Sequence, residues 1–87
     1  MTKEKNTKQY DLEERTFLFA SSVRELVRKL DKDIITVEDT KQLIRSSGSA
    51  GANYIEANEA LSKKDFLMRI KISRKEAKES TYWLKML

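Results

Sequence analysis

The chain has 87 residues, with 18 Lys and Arg against 14 Asp and Glu for a net charge of +4, and it contains no Cys, no Pro, no His and two Gly. Without Cys or His it can build neither a disulfide framework nor a Cys/His zinc site, and its length holds one small domain. The missing Pro and scarce Gly remove the punctuation that hairpins and sandwiches need, while the abundant Lys, Glu, Arg, Leu and Ala favour helix, so an all-α fold is expected.

Residues 1–11 are polar and without period and read as a flexible tail, leaving residues 12–87 as a single helical domain. No apolar run approaches the roughly 20 residues that span a bilayer, and the opening stretch lacks the apolar centre of a secretory signal, so a cytoplasmic location without membrane contact is expected. From Leu12 the apolar positions run through Thr16, Phe19, Val23, Leu26 and Leu30 in steps of four and three, the seam of a helix over 12–30 widened by Ala20 and Val27. The polar turn Asp31-Lys32-Asp33 ends it. Thr36-Val37-Glu38-Asp39 then matches a capping box and predicts a second helix over 37–61, with a seam of Leu43, Ser47, Ala50, Tyr54, Ala57 and Leu61. Ser62-Lys63-Lys64-Asp65 is a second such box, opening a third helix over 63–87 whose seam passes through Phe66, Ile70, Ser73, Ala77, Ser80, Leu84 and Leu87. Three helices joined by loops of about 2–6 residues favour an antiparallel up-down-up bundle crossing at about 20°. A chain this short buries only roughly 60–65% of its extended surface, so a partner surface is expected. Met68, Ile72 and Trp83 widen the apolar stripe of the third helix beyond what two neighbours cover, and are the candidate interface residues.

The segment Ser46 to Asn53 has the spacing Gly48-x-x-Gly51, which could cradle a phosphate if it formed a loop. The seam continues through it without losing register, which favours a helix whose small face lets another backbone come close, with Ser47, Ala50, Gly51 and Tyr54 as the packing residues. Glu56 and Glu59 could in principle share a metal or a proton, but a chain without His cannot complete a carboxylate di-metal bundle. Glu56 with Asn53 is better read as hydrogen-bonded near the seam, with Glu59 solvated. Neither His nor Cys is present to activate a nucleophile. The expectation is therefore a protein that is not an enzyme, with no cofactor.

Residues 62–87 carry eight basic and three acidic side chains. Lys64, Lys71, Lys75, Lys78 and Lys85 fall within an arc of about 80° on the third helix, with Tyr82 in its middle and Arg74 just beside it. That arc points about 145° away from the predicted seam. A Lys-rich helix exterior is ordinarily just solvated surface, yet few carboxylates share this one. A one-sided stripe about 30 Å long suits phosphate backbones, and Tyr82 offers a stacking surface.

The strings Glu14-Arg15-Thr16-Phe17, Lys41-Gln42-Leu43-Ile44-Arg45-Ser46, Gly51-Ala52-Asn53-Tyr54-Ile55-Glu56-Ala57-Asn58-Glu59-Ala60, Ser62-Lys63-Lys64-Asp65-Phe66, Lys71-Ile72, Lys75-Glu76-Ala77-Lys78-Glu79 and Tyr82-Trp83-Leu84 carry a resemblance. The chain resembles the four-helix-bundle family also called 23S ribosomal RNA intervening-sequence proteins, from about Tyr10 to Leu87. The resemblance implies an up-down helical bundle of bacterial type, commonly a homopentamer, with no known catalytic activity. A similar protein is the accessory factor of diversity-generating retroelements, whose pentamer presents basic surfaces to a reverse transcriptase and to nucleic acid. That likeness implies RNA or DNA and a protein such as a reverse transcriptase as partners. The family usually continues into a fourth helix after the Tyr-Trp-Leu string, and this chain stops three residues past Leu84, so three helices of that fold are expected with the fourth place open. The function expected is a self-associating bundle that contacts RNA or DNA through the basic face of helix three. The rival is a structural adaptor that binds a partner protein through Met68, Ile72 and Trp83, with the lysines serving solubility.

Overall fold

The computed structural model describes the backbone of residues 3–87, with side chains from residue 11 onward. Three helices account for nearly all of it: α1 (Lys3–Lys29), α2 (Ile34–Asn58) and α3 (Lys63–Met86). Of the stretch read as a tail, Met1 and Thr2 lie outside the described residues and the rest is the first part of α1. Lys, Glu and Gln are good helix formers and nothing from Lys3 to Leu12 breaks a helix, so the turn nucleated further along propagates backwards through it.

The helix ends show which local signals prevail. Asp33, not Thr36, is the N-cap of α2: its Oδ1 accepts the Thr36 backbone N–H at 2.8 Å, and the helix starts three residues earlier than the Thr36 box implied. An ionised carboxylate is a stronger acceptor for a free helix N–H than a hydroxyl. That hydrogen bond also holds the Asp33 carboxyl below its ordinary range. On the other side of the turn, Lys32 Nζ donates to the Val27 and Leu30 carbonyls at 3.0 and 3.1 Å, satisfying the open end of α1. Ser62 caps α3 as expected, accepting from Asp65 N at 3.1 Å. The second helix closes at Asn58, which leaves Leu61 fully exposed in the connection instead of on the seam.

Cross-helix contacts fix the direction of each rod. Arg45 meets Glu79, Ser46 meets Ser80, Ala50 meets Ser73 and Asn53 meets Arg69, so α2 and α3 run antiparallel. Gly51 approaches Thr16 and Gly48 approaches Arg24, which makes α1 and α2 antiparallel as well. The second helix therefore lies between the other two, and the molecule measures 46 × 32 × 16 Å. Side chains from all three rods meet in a core of Val23, Val27 and Leu43, against which Phe19, Ile44, Trp83 and Leu84 pack.

The third helix is turned relative to the expected seam. Ser80 is buried and Ser73 half-buried, as that seam has them, but Phe66 and Ala77 are exposed and Glu76, outside the seam, is buried. At about 100° per residue the line Ser73, Glu76, Ser80 lies about 40° round from the centre of the expected seam. Polar pairing is the cause. Arg45 on α2 neutralises Glu76, and the Ser46 and Ser80 hydroxyls share a 2.8 Å hydrogen bond, so a polar line can be buried without stranded groups. Ala77 and Thr81 turn instead towards an open trough that they line with Leu12, Thr16 and Phe19 of α1 and Ala50 of α2.

Candidate nucleic-acid interface

The rotation of α3 determines what its outer surface presents. Its buried line lies about 170° from the arc of Lys64, Lys71, Lys75, Lys78 and Lys85, so the row faces almost straight away from α2. All five lysines and Arg74 are exposed. Lys64 and Lys85 are separated by about 31 Å at 1.5 Å of rise per residue. Tyr82 lies within the row, 53% exposed, and its ring meets that of Trp83 edge to face at a centroid distance of 5.0 Å. The contact fixes the direction of the ring while leaving half of its surface to solvent.

Two of the three carboxylates of α3, Glu76 and Glu79, meet one guanidinium of α2, while Asp65 stays exposed beside Lys64 and Lys71. Arg45 Nη1 lies 3.3 Å from Glu76 Oε1, and Arg45 Nη2 bonds Glu79 Oε2. Glu79 also accepts the Trp83 indole N–H at 3.1 Å. That indole bond, together with the Arg45 contact, keeps the Glu79 carboxyl below its ordinary range, and the bond to Glu79 holds the Arg45 guanidinium above its own. Glu76 is buried, and its Oε1 makes no directed hydrogen bond, so its hold on Arg45 is ionic. Among the described residues the ion pairs use Arg15, Arg28, Lys41 and Arg45, and none uses a cation of the row. Arg45 was not singled out from the sequence. The one signal for it was a Ser73, Glu76, Ser80 spacing of three and four opposite the small face of α2.

Ser47 and Ala50 are buried, Tyr54 is half-buried, and a Cβ at Gly51 would lie 3.2 Å from Thr16 Oγ1. The stretch around Gly48 and Gly51 is unbroken helix without positive φ, which removes the phosphate-loop reading. Met68, Ile72 and Trp83 are distributed differently: Met68 is exposed, whereas Ile72 and Trp83 are half-buried, with Trp83 against the core. Glu56 is exposed and not hydrogen-bonded at the seam. It borders a shallow depression with Glu59, Asp65 and Arg69, while Asn53 receives a bond from Arg69 at 3.0 Å. Among the described residues no three acidic side chains converge as a metal would require, and no helix is long and apolar enough to cross a membrane.

No curated protein matches the chain. Among solved structures, a protein of unknown function from the S23 ribosomal protein family of Bacteroides thetaiotaomicron is similar, at 32% identity and a TM-score of 0.76 over 87% of this chain and 70% of that one. The model of a family described as 23S rRNA-intervening sequence protein matches residues 8–87, which with the similar helical fold establishes that the chain belongs to that family.

Proposed function

We infer that this chain is a non-catalytic, self-associating helical scaffold that holds RNA or DNA on the outer face of α3. One observation carries the reading: an exposed row of five lysines about 31 Å long, none of which is in an ion pair among the described residues. Uncompensated ammonium groups in a line release counterions when they meet phosphates, and this is the main source of affinity for nucleic acids. Self-association is supported by apolar side chains left open at the surface, with Phe17 64% exposed and Ile55 exposed beside it. On this reading the protein works in the cytoplasm, where its polyanion is found.

Filter binding with a labelled mixed-sequence RNA containing both stems and loops, at rising salt, is the test. Affinity should fall steeply with salt, and Lys71→Glu with Lys78→Glu should abolish binding while the helical circular dichroism persists. Absence of binding at low salt, or indifference to the double substitution, refutes the reading.

A further inference from the structure

The row is not uniformly charged, and its interruptions carry chemistry. Lys71, Lys75 and Lys78 are spaced by four and three residues, but a gap of seven separates Lys64 from Lys71 and another separates Lys78 from Lys85. Each gap is filled by exposed apolar surface. Leu67 and Met68 occupy the first, 46% and 47% exposed, and together with Lys64, Asp65 and Lys71 they line a shallow concavity. Tyr82 occupies the second. Along one straight edge the order is thus cation, apolar, three cations, aromatic, cation.

A duplex has no use for that alternation. Its bases are stacked inside, so exposed Met and Tyr faces would meet only phosphate and sugar. A straight helix also follows the curving groove of a duplex for only a few turns, since the groove winds fully round the axis in about 34–36 Å. Single strands are different, because a flexible backbone can lie along the whole edge with phosphates on the lysines while unstacked bases rest on apolar and aromatic faces. Resting on the reading of the row as a polyanion site, we propose that the ligand of α3 is single-stranded nucleic acid, with bases docking on Tyr82 and on the Leu67/Met68 concavity between the lysine contacts.

The experiment compares an oligodeoxythymidylate of about twelve nucleotides, within the range of site sizes seen on single-strand platforms, with its duplex with oligodeoxyadenylate. Fluorescence anisotropy on the full chain at several salt concentrations reads both. The single strand should bind more tightly, with log K against log salt falling at a slope of about −3.5 if all five lysines are engaged. Tyr82→Leu should weaken the single strand about 5- to 100-fold without changing that slope, and Tyr82→Phe should restore most of the affinity. A thermal melt of each variant separates this from damage to the Trp83 contact. Tighter binding of the duplex, or a folded Tyr82→Leu that binds the single strand as well as the parent does, overturns the single-strand assignment and leaves the polyanion row standing. Failure of both probes to bind at low salt overturns the row and this inference with it.

Discussion

Glu79 ties its own helix to α2, because one carboxylate receives both the Trp83 indole and the Arg45 guanidinium. Both interactions favour the ionised form, so the folded protein binds a proton at Glu79 less readily than the unfolded chain does. The contribution of Glu79 to stability is therefore fully present above its ordinary value of 4.5 and is lost as pH falls through the lower folded value. The melting temperature should fall on acidification below that point, and Trp83→Phe, which removes the larger cause, should flatten the fall in a series of thermal melts. Glu76 makes the opposite demand, since it is buried and depends on Arg45 alone. Arg45→Met should cost about 1–3 kcal/mol by stranding that carboxylate. The figure stays below that for breaking a fully buried pair because Arg45 is itself half-exposed. Adding Glu76→Leu to Arg45→Met should restore most of the loss in urea titrations, because an apolar pair needs no ionic partner there.

The second helix uses its two glycines for different ends, and the neighbours of each decide what a substitution does. A Cβ at Gly48 meets only the far end of the long Arg24 side chain, at 3.3 Å, which can shift a few tenths of an ångström while its Nη1 keeps the Ala20 carbonyl, so Gly48→Ala should stabilise the protein by up to about 0.5–1 kcal/mol through helix propensity. At Gly51 the neighbour is Thr16, whose Oγ1 is tied to the Glu13 carbonyl at 3.1 Å and cannot easily move aside. Gly51→Leu should therefore push α1 off α2 and cost about 3 kcal/mol, read as a lowered circular dichroism melting temperature. The same contrast between near and distant partners explains what was legible in the sequence. The cap at Ser62, the continuity of α2 through Ser46 to Asn53 and the lysine row of α3 depend on residues within one or two turns, and their spacing announces them. The rotation of α3 depends on Arg45, which lies 31 residues before Glu76 in the chain, so an apolar-periodicity reading places Phe66 and Ala77 inward and misses Glu76. The start of α2 is misplaced by spacing because only Thr36 has an acidic residue three positions on, whereas Asp33, which lacks one, supplies the stronger acceptor and makes the cap. The lysine row and the shortage of carboxylates along it are legible from spacing alone, whereas the pairing of Glu76 and Glu79 with Arg45 is not.

At the scale of the whole molecule the governing fact is incomplete cover. Among the described residues α2 has two helical neighbours but α1 and α3 have one each, so the faces they turn away from α2 stay open. Among the described residues the large buried apolar side chains are Val23, Val27 and Leu43, a small core for a chain of this length. The chain's conformational entropy must be offset by burial, and domains of this size with so few buried aliphatic residues usually draw on a further surface. The apolar trough between α1 and α3, over Ala50, and the groove between Phe17 and Ile55, over Gly48 and Gly51, are surfaces of that kind. If copies of the chain supply the cover, folding and association share one equilibrium, and the stability of a protomer depends on how many others are present. The melting midpoint should then fall on dilution, by roughly 3–6 °C per tenfold for a dimer, given that 1 kcal/mol shifts a domain of this size by about 4–8 °C. A scan from about 1 to 100 micromolar, with light scattering at each end, measures both quantities together. A midpoint that stays fixed while the scattering mass remains that of one chain would show that the three helices stand alone, and would remove self-association from the account.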